Sequence, residues 1–109
     1  METIIFTIIS YSGDARNFFL EALAPAKNGY IEKAVELIKQ GDEKLELAHK
    51  EQTKLIQAEA RGEKMEISLL MIHAQDHLMN AITVKQLVCE MIDIYITFFE
   101  NNKNDCVEV

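Results

Sequence analysis

Two glycines, Gly29 and Gly62, divide this chain into three stretches of helical periodicity. Each stretch is about 30 residues long, or roughly 45 Å at the rise of an α-helix. From about Glu2 to Asn28, apolar or small residues recur at Ile5, Ile8, Ser12, Ala15, Phe19, Ala22 and Ala26, three and four apart as one helix face requires. A second pattern runs through Ile31, Ala34, Ile38, Gly41, Leu45, Ala48, Gln52 and Leu55 to Arg61-Gly62. The third runs from Met65 to about Phe99 through Ile67, Leu70, Ala74, His77, Ala81, Val84, Val88, Met91, Tyr95 and Phe98. A glycine just past the last periodic residue is a helix stop, and short connections force antiparallel neighbours. The predicted architecture is therefore all-α, an up-down-up three-helix bundle forming one domain over 1–100. The polar segment 101–109 is expected to be a frayed tail.

Two residues sit awkwardly in that scheme. Gly41 falls on the core-facing stripe, where it costs about 1 kcal/mol relative to Ala, so close helix approach is the expected compensation. Pro25 deletes a backbone bond and should kink the last turn before Asn28.

The third helix carries more apolar surface than one stripe can bury, with Leu69, Met71, Ile72, Leu78, Met79, Leu87 and Ile94 spread around it. A helix apolar nearly all round is buried nearly all round, and a three-helix subunit cannot supply that cover. A homo-oligomer is expected.

A formal net charge of −7 argues against nucleic acid or an anionic membrane as the main partner. No apolar run approaches the roughly 20 residues of a membrane span. The opening METIIFTIIS carries Glu2 where a leader would be basic, and no convincing cleavage pattern follows, so a cytoplasmic protein is expected. Cys89 and Cys106 form no metal or disulfide spacing and are read as free thiols.

Within the third helix, LLMIHAQDHLMNAI (69–82) places His73, Asp76 and His77 on a greasy stretch, where burying an unpaired ionisable group costs several kcal/mol. At ~100° per residue, these three and Asn80 share a wedge of roughly 100°, with Leu69 and Leu70 below and Val84 and Leu87 above. The result is a polar island in an apolar stripe. Four readings compete. The histidines are satisfied core residues; or, at i and i+4, they hold a metal. Alternatively Glu46-Leu47-Ala48-His49 is half of a carboxylate-bridged di-metal bundle; or one histidine is a nucleophile whose neighbours fix its tautomer. No G-x-S-x-G, Walker loop or Rossmann fingerprint is present. A nucleophile without a substrate pocket suits group relay better than substrate transformation.

HAQDHLM at 73–79, with GDAR at 13–16, EAL at 21–23, AHKEQT at 48–53, EARGE at 59–63 and SLL at 68–70, resembles the lactose/cellobiose-type IIA components of the bacterial sugar phosphotransferase system over about residues 2–95. The chain departs from the family's usual pattern at Asn17, at Tyr30-Ile31 and at Pro25, all away from the histidine motif.

The resemblance implies a phosphocarrier. His73 would accept a phosphoryl group from the phosphocarrier HPr and pass it to a cysteine of the IIB component, during uptake of a β-glucoside or β-galactoside disaccharide through the membrane IIC transporter. It implies a homotrimeric nine-helix bundle in which Asp76 of each subunit binds one shared divalent cation, magnesium in the family, on the symmetry axis. His77, Gln75, His49 and Gln52 are the supporting candidates, although the register of His77 on the internal stripe points to a buried structural role. The rival from another class is a non-catalytic, metal-stabilised helical trimer serving as a regulatory or scaffold module.

Overall fold

The computed structural model describes residues 2–108, with side chains described through 101; Cys106 therefore lies outside the described side chains. Four helical segments follow in order: α1 (Glu2–Glu21), α2 (Leu23–Lys27), α3 (Ile31–Ala60) and α4 (Leu69–Glu108). They form a rod measuring 69 × 19 × 19 Å, with α1 packed against both α3 and α4. This is the expected up-down-up bundle, and no strand occurs among the described residues.

The first helix is interrupted at Ala22 and not merely bent at its end. Pro25 has no N–H to give the carbonyl of Glu21, and its ring crowds that oxygen. Ala22 still donates to the carbonyls of Phe18 and Phe19 at 3.2 Å, and Ala26 donates to Ala22 at 3.3 Å. The interruption therefore redirects the chain while Ala22 and Ala26 remain fully buried.

Both predicted glycine stops are observed. Gly29 and Gly62 each have φ of 84°, a left-handed conformation that costs glycine nothing. After α2, Gly29 N–H reaches Ala26 O at 3.2 Å and Tyr30 N–H reaches Pro25 O at 2.9 Å. After α3, Gly62 N–H reaches Glu59 O at 3.0 Å and Glu63 N–H reaches Ala58 O at 3.1 Å. Each pair satisfies carbonyls that a helix end otherwise leaves open, in the Schellman pattern.

The last helix starts later than its periodicity suggested. Residues 63–68 are not helical, so Met65 and Ile67 lie outside α4, and Ile67 is 80% exposed. The reason is a cap: Ser68 Oγ accepts the Met71 N–H at 3.1 Å, filling one of the orphan donors of a helix N-terminus. At the other end the backbone remains helical through Glu108, where a frayed tail was expected.

Every stripe residue read for the first helix is buried. On α3, Ala34, Gly41, Leu45, Ala48 and Leu55 are buried. On α4 the stripe is rotated from the expected register: Met71, Ala74, Leu78, Ala81, Val88 and Ile92 are buried, whereas Leu70, His77, Val84 and Met91 are not. Ala74, Ala81 and Val88 are common to both registers. Leu78 packs inward in preference to His77 because an imidazole loses more on leaving water than leucine does.

Gly41 meets the side chain of Phe19. A Cβ on Gly41 would stand 2.5 Å from Phe19 Cε1, so the ring occupies the space that the glycine vacates. Ser12 is fully buried with no partner for its hydroxyl. Lys85 Nζ lies 2.6 Å from Asp42 Oδ1, tying α4 to α3 by charge, although off the direction of a hydrogen bond. No helix among the described residues is long and apolar enough to cross a membrane.

Candidate functional site

The face of α4 opposite its core stripe carries the island. Leu69, Asp76, Asn80, Leu87, Ile94 and Phe98 fall within roughly 40° of one another around the helix axis, about 140° from the centre of the core stripe. All six are exposed in the single chain, Leu69 by 83% and Ile94 by 65%. His73 is exposed on the edge of this face and His77, further round, is half-buried.

One turn of helix brings the two imidazoles together. Their Nε2 atoms are 3.1 Å apart, with ring centroids at 4.5 Å and planes at 89°. At that distance one Nε2 carries a proton and the other offers a lone pair. His77 is therefore a partner of His73 and not the sealed core residue its register suggested.

An open groove of about 550 Å³ runs beside the pair, lined by Leu69, Leu70, Ile72, His73 and Asp76. A second groove of about 430 Å³ lies between the end of α3, the non-helical segment and α4, and shares Ile72 and Asp76 with the first. Its other walls include Glu59, Met65, Ile67 and Gln75. The sequence reading missed this second groove because it placed Met65 and Ile67 on the helix; Ser68 as an N-cap was the signal that would have found it.

The supporting candidates separate. Gln52 on α3 donates through Nε2 to Gln75 Oε1 on α4 at 2.6 Å, in a half-buried position, so a polar clasp joins the two helices close to Asp76. His49 lies elsewhere. It is exposed and lines a different groove with Leu45, Ile82, Lys85 and Cys89, and its backbone carbonyl accepts the Thr53 hydroxyl at 2.9 Å. Burial pushes the Cys89 thiol above its ordinary range, against the opposing pull of the Lys85 ammonium.

Among the described residues, no three potential ligands from His, Cys, Asp and Glu come together within one chain. The half-motif Glu46–His49 therefore has no partner for a di-metal centre there. What the geometry offers is an accessible imidazole, a second imidazole bonded to it, an apolar surround and an adjacent carboxylate.

The chain as a whole is similar to known proteins. Residues 3–96 match the family model described as the lactose/cellobiose-specific IIA subunit of the PTS system. The lichenan-specific phosphotransferase enzyme IIA component of Bacillus subtilis is 53% identical over 95 residues, covering 87% of this chain and 86% of the relative. The crystal structure of the PTS cellobiose-specific enzyme IIA from Bacillus anthracis superimposes with a TM-score of 0.88 at 55% identity, covering 91% of each chain. A solution structure of the IIA(chitobiose)–HPr complex from the N,N'-diacetylchitobiose branch of the Escherichia coli phosphotransferase system matches with a TM-score of 0.77 at 36% identity, over 89% of this chain and 94% of that one. With the fold, the sequence identity and the matched span in agreement, this chain belongs to the lactose/cellobiose-specific IIA components of the bacterial sugar phosphotransferase system.

Proposed function

We propose that His73 is the phosphoryl carrier of this IIA component, charged by HPr and discharged to a cysteine of the IIB component. The observation that carries the proposal is the position of His73, exposed on α4 beside an apolar groove with its Nε2 held 3.1 Å from His77 Nε2. The HPr complex of the chitobiose relative supports HPr as the donor.

In the transfer, a lone pair on the His73 imidazole forms a P–N bond as the P–N bond to the donor histidine breaks, and the donor ring leaves with that electron pair. The transition state is loose and asks mainly for in-line positioning and stabilised oxygens. His77 serves in both respects. While His73 is free, a His77 Nε2–H donated to His73 Nε2 keeps the His73 proton on Nδ1 and the lone pair on Nε2. Once phosphorus arrives, the same N–H turns to a phosphoryl oxygen. Exposed Leu69, Ile72 and Met79 give an apolar rim that excludes water from the reacting groups and adapts to two successive partners. The Gln52–Gln75 clasp fixes α3 against α4 beneath the site.

The active assembly in this reading is a homotrimer built on the exposed face of α4, where Leu69, Leu87 and Ile94 await cover. Asp76 shares their line around the helix, so a threefold axis there gathers three carboxylates. Those oxygens fit a hard cation such as magnesium, and one chain supplies too few ligands to hold it alone. When bound, the ion neutralises the converging carboxylates. The protein works in the cytoplasm and meets the membrane only through the IIC transporter. The transported sugar is a β-glucoside or β-galactoside disaccharide.

The test is phosphoryl uptake from phosphoenolpyruvate through the general enzymes of the system. Wild type should gain one acid-labile phosphoryl mass per chain and His73→Ala none. Normal labelling of His73→Ala, with loss in His77→Ala, overturns the assignment.

A further inference from the structure

The arrangement of the two histidines suits a second ligand besides a phosphoryl group. Their Nε2 atoms lie 3.1 Å apart on adjacent turns of an unbroken helix, so only small rotations of the two rings are needed to aim both lone pairs at one ion and no loop has to reorganise. Two nitrogens bound to one tetrahedral ion, each at about 2.0–2.1 Å, stand roughly 3.3 Å apart. The pair is within a few tenths of an ångström of that separation, and the exposed edge of His73 leaves an entry path.

We propose that His73 and His77 together form a two-nitrogen site for a borderline d-block dication, with Zn²⁺ the type case, and that its occupation blocks phosphoryl acceptance. On binding, both rings present an Nε2 lone pair. The proton that one Nε2 had carried moves through solvent to the Nδ1 of the same ring, so each imidazole stays neutral. Two protein ligands leave the remaining positions to water, because no third ligand from the same chain joins the cluster among the described residues. Ligand softness separates this site from the carboxylates of Asp76. Imidazole suits Zn²⁺, Ni²⁺ or Cu²⁺, whereas magnesium takes oxygen and keeps its waters. The blocking half of the inference rests on the reading of His73 as the carrier, since one Nε2 lone pair cannot bind both phosphorus and metal; the binding half rests on geometry alone.

Calorimetric titration of metal-free whole protein with Zn²⁺ tests the binding half. One Zn²⁺ per chain is expected, with affinity weakened at least about tenfold in both His73→Gln and His77→Gln, unchanged in His49→Gln and unchanged by excess Mg²⁺. Equal affinity in His77→Gln, loss in His49→Gln, or one ion per three chains overturns it. Imidazole ¹⁵N spectra of wild type guard against a misfolded variant: both Nε2 resonances must move on adding Zn²⁺, and a shift of neither sinks the site. For the blocking half, chelator-reversible loss of phosphoryl uptake is expected, as is loss of the Zn²⁺ site in the phosphorylated protein. Undiminished Zn²⁺ binding by phosphorylated chains overturns that half. Failure of metal-free wild type to accept any phosphoryl group would instead overturn the carrier assignment and leave the binding result standing.

Discussion

Gly41→Ala should destabilise the protein, although alanine is the better helix former. Position 41 lies in the interior of α3 with ordinary helical φ, so intrinsic propensity alone favours the change by about 1 kcal/mol. The added methyl, however, would stand 2.5 Å from Phe19 Cε1, 2.7 Å from Cδ1 and 3.0 Å from Cζ. Phe19 is a rigid ring with no exposed surface, so it cannot swing into solvent. Relief requires α1 and α3 to separate or the ring to leave its rotamer. Overpacking of this kind costs about 1–3 kcal/mol, and contact along a whole ring edge belongs at the upper end. The net loss is then about 2 kcal/mol, or roughly 8–16 °C in melting temperature for a domain of this size. Thermal and urea unfolding should be followed at one fixed protein concentration, because self-association shifts the midpoint. The double variant Gly41→Ala/Phe19→Leu should lose less than the sum of the single changes, since the smaller side chain accommodates the methyl. A neutral or stabilising Gly41→Ala would show slack between the helices and refute the close-contact account.

Ser68→Ala removes the hydroxyl that caps α4 and should cost about 1 kcal/mol, read as a lower urea midpoint at unchanged slope. Asp76→Leu should keep the proposed trimer while its melting temperature lacks the sensitivity to chelator expected of wild type, because it removes carboxylate repulsion and the desolvation cost together; equal chelator sensitivity in both proteins would place the ion elsewhere. Cys89 should react with a thiol reagent more slowly than an unhindered thiol, tested in a Cys106→Ser background. Its raised pKa keeps it protonated to higher pH, so the reactivity profile should be displaced toward alkaline pH, and a profile displaced toward acid would refute the burial argument. The same shift means that stability from the half-buried thiol is complete below the unfolded-state value and falls as pH rises through the folded one.

The parts of the fold that were legible in the sequence are those in which one local cause dominates. The stripe from Ile5 to Ala26 consists of small and apolar residues spaced three and four apart, and it has one way to face a core. The stops at Gly29 and Gly62 depend on a backbone conformation that glycine adopts freely. Helix α4 was harder because two of its faces are apolar, so periodicity alone admits a register with His77 inward and one with Leu78 inward. The winner depends on the relative cost of desolvating imidazole and leucine against α1 and α3, which is a tertiary quantity. Its start was misplaced for a similar reason: Met65 and Ile67 continue the pattern, but the Ser68 cap ends the competition locally. At the site, the i,i+4 histidines followed from spacing, whereas the Gln52–Gln75 clasp bridges 23 residues and the displacement of His49 into another groove depends on how α3 lies against α4.

The two apolar faces of α4 also explain why the polar island sits where it does. A carrier histidine needs access for two partners, so it cannot belong to the face that Leu78, Ala81 and Val88 bury. A histidine on a wholly solvated face would be accessible, but water would surround every oxygen of the transferring group. On the proposed trimer, the outer face of α4 meets both demands. Leu69, Leu87 and Ile94 would be drawn together by the hydrophobic effect, Asp76 with the proposed ion would occupy the line between them, and His73 would be left at the margin beside Ile72. The same apolar surface that makes a lone subunit incomplete then forms the dry wall of the site, and loss of assembly should impair phosphoryl acceptance even with every residue of the histidine motif intact.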